Sequence, residues 1–117
     1  MFRYFKHKKF YIFLLLALLS FCVNFYVASN GVYPVDTFIH YDNGFRILLG
    51  DNPVKDYWIV HGFIIDYIQA LFFLVFGNNW YSYLIHSSLF NVILTIFTFQ
   101  IFKILKIDLN VAFLLSI

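Results

Sequence analysis

A long uncharged run near the N-terminus constrains the fold of this chain more than any other feature. Residues 10–28 contain no Asp, Glu, Lys or Arg and are interrupted only by Ser20, Cys22 and Asn24. A helix needs about 20 predominantly apolar residues to cross the hydrocarbon core of a bilayer. The run therefore predicts a first transmembrane span, and the bilayer becomes the solvent for interpreting the rest of the chain.

The overall composition agrees with a membrane protein. Of the 117 residues, 62% are hydrophobic, 24% are aromatic and only 12% are charged, which differs strongly from an average soluble domain. The net charge is only +2, and the basic residues lie at the ends of apolar runs, so no nucleic-acid partner is expected. A single cysteine, Cys22, cannot form a disulfide framework within the chain.

Further apolar runs extend the pattern. Residues 57–76 and 80–102 are each long enough for a span, and a polar turn at residues 77–79 joins them. Residues 109–117 are again apolar and indicate the start of a fourth span, so the chain is interpreted as the N-terminal fragment of a longer protein. The predicted fold class is all-α, a polytopic membrane protein with three full transmembrane helices and a truncated fourth.

A basic cluster sets the predicted orientation. Arg3, Lys6, Lys8 and Lys9 stand immediately before the first run. Such residues stay on the cytoplasmic side, which predicts a cytoplasmic N-terminus, an outside loop over residues 30–56 and a multi-pass protein of a bacterial inner membrane. A cleaved signal peptide is the alternative, but the apolar run is longer than the usual h-region of about 7–15 residues, and Val27-Ala28-Ser29 is a poor cleavage site.

The outside loop concentrates acids, which a membrane protein seldom does without a use for them. It contains Asp36, Asp42, Asp51 and Asp56. Asp36 can open a helix as its cap or first-turn acid. Apolar residues then recur at helical spacing, while Asp36, His40 and Asn43 share another face. This pattern predicts an amphipathic juxtamembrane helix that lies along the membrane surface.

Two local sequence signals are expected to interrupt this predicted helix and to end it. Asn43-Gly44 favours a turn and is expected to weaken or break it. Gly50 is expected to take the left-handed cap, and Pro53 cannot continue a helix. Asp42 and Asp51 are expected to be solvated, with Asp42 pairing with Arg46 four residues later.

Polar residues within the later spans carry separate expectations. Asp66 lies in the predicted second span with Gly62 and Gln69 on its helical face, and a carboxylate there should face a protein interior or a polar cavity. In the third span a polar stripe is expected to pack helix against helix. The stripe consists of Ser88, Asn91, Thr95 and Thr98.

The loop resembles the first outside loop of GT-C class glycosyltransferases, polytopic enzymes that use polyprenyl- or dolichyl-phosphate sugars, especially the mannosyltransferase-like branch. In that branch an acid opens a juxtamembrane helix, a glycine follows, and a Gly-x-x-Pro-Tyr-x-Asp element leads into the second span. Here Asp36 stands fourteen residues before Gly50, and Pro53 and Asp56 fill later positions. His61-Gly62 resembles a bacterial His-Gly-Pro variant. The chain departs from the pattern at Thr37, Val54 and Phe63, where an acid, a tyrosine and a proline are common.

The resemblance implies an activity and its residues. Asp36 would be the catalytic carboxylate, either as base toward the acceptor or as a ligand of a divalent metal at the donor phosphate, with Asp56 as a second catalytic acid. Such a transfer needs a carboxylate near the attacking hydroxyl and a cation near the leaving phosphate. The implied partners are a lipid-linked sugar donor and membrane lipids. The candidate substrate-binding residues are Arg46, Lys55, His61 and Asp66.

Simpler interpretations stand beside these. Asp36 can be a plain helix cap, Asp56 can make a turn, and His61 can be an interfacial histidine satisfied by a neighbour. For the whole chain, the alternatives are a non-enzymatic membrane subunit or assembly factor whose loop acids bind a partner, and a transporter fragment with Asp66 on an ion path. The length of the complete reading frame discriminates among them.

Overall fold

The computed structural model describes residues 2–31, 36–59 and 61–117, with side chains from residue 10 onward. The described chain is helical apart from turns and a single isolated bridge between Pro53 and Tyr57, which confirms the all-α prediction. The helices are α1 (Phe2–Ser29), α2 (Asp36–Leu48), α3 (Ile64–Phe76), α4 (Trp80–Ile104) and α5 (Leu109–Ser116).

Among the described residues, two helices are long and apolar enough to cross a membrane. They are the Phe10–Ser29 part of α1 and the whole of α4. Many of their large apolar side chains are exposed, among them Leu18 in α1 and Phe97 in α4, as expected of surfaces that face lipid. By length and composition these two helices are candidate spans, in place of the three full spans expected.

The second expected span is shorter than its apolar run. Only Ile64–Phe76 is helical, and its 13 residues cover about 20 Å at the rise of an α-helix, short of the roughly 30 Å of hydrocarbon. The preceding residues form turns, with Val54 at a φ of 74° and its N–H bonded to the Tyr57 carbonyl at 3.0 Å. The apolar residues of this stretch therefore belong partly to a loop.

The described chain divides into two compact units. The first combines residues 1–27 with residues 87–117, and its core is built on Leu16, Phe99 and Ala112. The second unit comprises residues 28–86 and contains α2 and α3.

A polar seam joins α1 to the later part of α4 within the first unit. The Ser20 and Thr95 hydroxyls lie 2.9 Å apart, and Asn91 Nδ2 donates to Ser20 Oγ at 3.0 Å. One turn further along α1, Asn24 Nδ2 donates to Ser88 Oγ at 3.1 Å. These bonds confirm helix-to-helix packing for three members of the predicted stripe, Ser88, Asn91 and Thr95.

In the second unit, α2 packs against α3, and Gly44 lies where the two helices approach closely. A Cβ atom at Gly44 would lie 2.6 Å from Gln69 Cγ and 3.3 Å from the Ala70 backbone nitrogen. The expected break at Asn43-Gly44 is wrong, because both residues are buried in a continuous helix. Packing against α3 overrides the local turn preference of this pair.

The end of α2 agrees with expectation. Gly50 has a φ of 97°, its N–H bonds the Ile47 carbonyl at 3.0 Å, and the Asp51 N–H bonds the Arg46 carbonyl at 3.1 Å. This pair of bonds is the Schellman arrangement, which satisfies the last carbonyls of a helix around a left-handed glycine.

Side-chain caps begin the last two helices. Asn79 Oδ1 accepts the Ser82 N–H at 3.1 Å at the start of α4, so the polar turn at residues 77–79 is confirmed. Asp108 accepts the N–H groups of Asn110 and Val111 at the start of α5. The eight residues of α5 begin where the apolar run predicts.

Candidate functional site

Asp66 is the centre of a buried polar cluster in the second unit. Its side chain is fully buried in the first turn of α3. Oδ1 lies 2.9 Å from His61 Nε2 and 3.6 Å from His40 Nδ1, while Oδ2 accepts a hydrogen bond from Asn43 Nδ2 at 3.1 Å. The expectation that this carboxylate faces a protein interior is confirmed.

Two histidines cover one oxygen of Asp66. The ring centroids of His40 and His61 are 4.1 Å apart, with an interplanar angle of 60°. The Nδ1 atom of His40 is buried and has no hydrogen-bond partner among the described residues. His40, His61 and Asp66, called here the His–His–Asp cluster, bring three metal-ligand atoms within 4.8 Å of one another.

The local fold explains why these residues meet. His40 and Asn43 are three residues apart on α2 and therefore share a face. Gly44, next to Asn43, lets that face approach α3 closely. Asp66 lies in the first turn of α3, where the positive end of the helix dipole favours a carboxylate.

A second polar contact lies one turn along α3. Gln69 Oε1 is 2.6 Å from His86 Nδ1, and the His86 ring stacks on Phe72 with centroids 5.0 Å apart. The Nε2 atom of Gln69 is buried and lacks a hydrogen-bond partner within the described chain. Gln69 thus continues the buried polar face that Asp66 begins.

Asp36 lies at the first position of α2 and is exposed. It precedes His40 by four residues, so the two side chains are neighbours along one helix face. Asp36 is thus the acid in the first turn of α2 as described, and residues 32–35 before it lie outside the described residues. The roles proposed for its carboxylate, in catalysis or at a metal, stay predictions.

Asp56 closes a short loop between Asn52 and Tyr57. Its Oδ2 accepts the Asn52 backbone N–H at 2.8 Å, and its own N–H donates to the Asn52 carbonyl at 2.9 Å. The backbone hydrogen bond from Asn52 holds the pKa of this exposed carboxyl below its usual range. Asp56 is therefore an ionised turn residue, and a catalytic use of it stays a prediction.

Arg46 holds the same loop against α2. Its Nε donates to Asp51 Oδ2 at 3.0 Å, its Nη2 donates to the Asp56 carbonyl at 3.4 Å, and its guanidinium lies 4.7 Å from the Tyr57 ring centroid. The expected partner, Asp42, is thus replaced by Asp51, because the Schellman turn brings Asp51 back beside Arg46. Lys55, the other cation of this loop, is exposed.

Sequence reasoning selected His61 and Asp66 as candidates and missed His40. The signal that points to His40 is the helix face that it shares with Asp36 and Asn43. In the sequence alone, this face looks like the polar side of a surface helix. In the structure this side is turned toward α3, while Phe38 on the apolar side remains 53% exposed.

The fold and the site together define a helical protein with two helices of membrane-spanning length and a buried His–His–Asp cluster. No family model, curated protein or solved structure matches the chain.

Proposed function

We propose that this chain belongs to a GT-C-like membrane glycosyltransferase, which transfers a sugar from a polyprenyl-phosphate donor to an acceptor on the outer side of the membrane. The observation that carries the proposal is the form of α2. Its first residue is the exposed Asp36, and its end is set by Gly50. The resemblance rests on the spacing from Asp36 to Gly50. In the structure one uninterrupted helix covers this spacing as far as Leu48, and its first described residue has an exposed carboxylate.

The surroundings of α2 support a position beside the membrane. Phe38, Phe45 and Leu49 on this segment are exposed apolar side chains, as a helix that rests on a bilayer surface requires. The proposed arrangement has a cytoplasmic N-terminus before α1, with α2 outside. The basic residues before the first span support that orientation.

The chemical roles follow from what each side chain offers. Asp36 would accept the proton of the acceptor hydroxyl, because an exposed carboxylate can reach a substrate from the loop side. Lys55 is the better candidate for the donor phosphate, since the guanidinium of Arg46 already contacts Asp51 and Tyr57. Asp56, whose carboxylate bonds the loop backbone, would act mainly by shaping that phosphate site.

Substitution of Asp36 by Asn in the full-length protein tests the proposal. Asn caps a helix about as well as Asp, so the change removes charge and keeps α2. We expect transfer from a polyprenyl-phosphate sugar in membrane vesicles to fall roughly 100-fold or more, the usual contribution of a general base.

Asp42→Asn is the matched control, because Asp42 is an exposed acid on the same helix. It should leave the rate of transfer unchanged. A protein that transfers sugar equally well with Asn at position 36, at equal membrane content, would contradict the catalytic role of Asp36.

A further inference from the structure

We propose that the His–His–Asp cluster binds a divalent cation of the zinc type, through His40 Nδ1, His61 Nε2 and Asp66 Oδ1. The inference differs from the metal role predicted for Asp36, which is not one of these ligands. It concerns binding alone and does not depend on the transferase proposal.

The donor set favours this class of metal. Two imidazole nitrogens and one carboxylate oxygen are a common set of three protein ligands at zinc sites that keep the fourth position open for water or substrate. Magnesium and calcium prefer oxygen ligands, whereas imidazole suits zinc and its neighbours in the first transition row. The cluster supplies two nitrogens and one oxygen, so a zinc-type ion is the better match.

The distances fit a tetrahedral ion after small adjustments. Ligand atoms around a four-coordinate zinc lie about 3.3–3.6 Å apart, given metal–ligand bonds of about 2.0–2.2 Å. In the cluster, Asp66 Oδ1 lies 2.9 Å from His61 Nε2 and 3.6 Å from His40 Nδ1, and all three atoms lie within 4.8 Å of one another. Tetrahedral coordination therefore requires Asp66 Oδ1 and His61 Nε2 to move apart by about 0.4 Å.

The unpartnered nitrogen of His40 is an independent observation. A buried polar atom without a hydrogen bond costs free energy, and His40 Nδ1 is such an atom among the described residues. It lies 3.6 Å from Asp66 Oδ1. A bound cation would satisfy this nitrogen, whereas the hydrogen bond between His61 and Asp66 alone leaves it unsatisfied.

The residues around the cluster are arranged to support a metal. Asn43 Nδ2 donates to Asp66 Oδ2, which fixes the carboxylate and leaves Oδ1 toward the histidines. Ligating carboxylates at metal sites are held by such outer hydrogen bonds. The close packing at Gly44 keeps Asn43 in place against α3, so the ligands from α2 and α3, His40 and Asp66, are held by two packed helices, and His61 comes from the segment just before α3.

Metal binding to the full-length protein, purified in detergent without a histidine tag and stripped with a chelator, tests the inference. We expect one equivalent of zinc per chain, measured by competition with a chromophoric chelator. Cobalt should give the intense visible spectrum of a four-coordinate site. Asn43→Ala removes a side chain that only holds a ligand in place, and it should weaken zinc binding by the roughly 10–100-fold typical of such a loss. His40→Gln and His61→Gln each remove a ligand and should weaken zinc binding by more than that.

His86→Gln is the control, because it removes a histidine of the same unit that bonds Gln69 instead of Asp66. It should keep the zinc affinity and the cobalt spectrum. Absence of stoichiometric zinc from the wild-type protein, undiminished binding in both cluster variants, or an equal loss in His86→Gln would each overturn the assignment. The Gln variants keep a hydrogen-bonding side chain, and their thermal unfolding is measured alongside.

Discussion

Asp66 combines three partners with complete burial, so its side chain links α2, α3 and the segment that precedes α3. A buried charge costs several kcal/mol unless it is paired and hydrogen-bonded. Asp66 is hydrogen-bonded to His61 and Asn43, and His40 Nδ1 lies 3.6 Å from its Oδ1. The same carboxylate that can bind a metal is therefore also a structural element of the second unit.

Substitution of Asp66 should affect stability first. Asp66→Leu leaves His61 and Asn43 without their buried partner, at about 1–3 kcal/mol for each unsatisfied group, so we expect its free energy of unfolding to fall by roughly 2–6 kcal/mol. Asp66→Asn keeps an acceptor oxygen and should lose less. Thermal unfolding in detergent measures both, and the Michaelis constant for the lipid donor is followed on the same samples. A raised Michaelis constant at unchanged stability would show instead that Asp66 lines a donor cavity.

The burial of Asp66 could be predicted, because a carboxylate in an apolar run has few other options. Its partners could not. His40 and Asn43 are separated from Asp66 by a loop, and on α2 they look like ordinary polar-face residues. Only the docking of α2 on α3, which depends on Gly44, brings them together.

At the level of elements, the α2–α3 contact depends on one missing side chain. A Cβ at position 44 would meet Gln69 Cγ at 2.6 Å and Gln69 Cβ at 2.9 Å. Gln69 is fully buried and bonded to His86, so it has little room to move. A methyl group here must push the helices apart or displace this side chain.

We therefore expect Gly44→Ala to lower the free energy of unfolding by about 1–3 kcal/mol, the usual cost of overpacking, despite the better helix propensity of alanine. Gly62→Ala is the control, because a Cβ there would meet nothing within 4 Å. It should stay within about 0.5 kcal/mol of the wild type. Chemical denaturation of the three proteins compares them, and equal stability of Gly44→Ala and Gly62→Ala would contradict the close approach.

Helix ends were more predictable than helix interiors. The left-handed cap at Gly50 and the start of α5 after Asp108 follow from short-range chemistry that the neighbouring residues contain. Continuity through Asn43-Gly44 does not, because it depends on packing against residues that are distant in the sequence. The length of α3 was overestimated, since Trp58 and Ile59 are apolar but lie in the preceding loop.

At the scale of the whole molecule, the testable claim is orientation. With α1 and α4 as the candidate spans, the proposed arrangement places both the loop before α3 and the turn between α3 and α4 outside. Single cysteines at Asn52 and Asn78, both exposed, report the side of each segment in a Cys22→Ala background. A membrane-impermeant maleimide should label both Asn52→Cys and Asn78→Cys in intact cells. Labelling of Asn52→Cys only after the membrane is opened would reject an outward-facing Asp36, and such labelling of Asn78→Cys alone would show that α3 crosses.

The apolar runs of the sequence predict correctly where the two long helices lie. They overestimate how many of the described helices are long enough to span a membrane. The runs containing α1 and α4 are filled by helix nearly from end to end, so length and composition were sufficient there. The middle run is divided between a loop and a 13-residue helix, and His61 before the helix contacts Asp66 in its first turn.

The polar seam also has a consequence for the timing of synthesis. Ser20 and Thr95 are separated by 75 positions, so at about 5–20 residues per second a ribosome needs roughly 4–15 s to deliver the partner. During that interval Ser20 and Asn24 lack the α4 partners that they bond in the structure. Serine and asparagine side chains can bond backbone groups of their own segment, so the polar groups of the nascent α1 have only such local partners until the seam residues of α4 arrive.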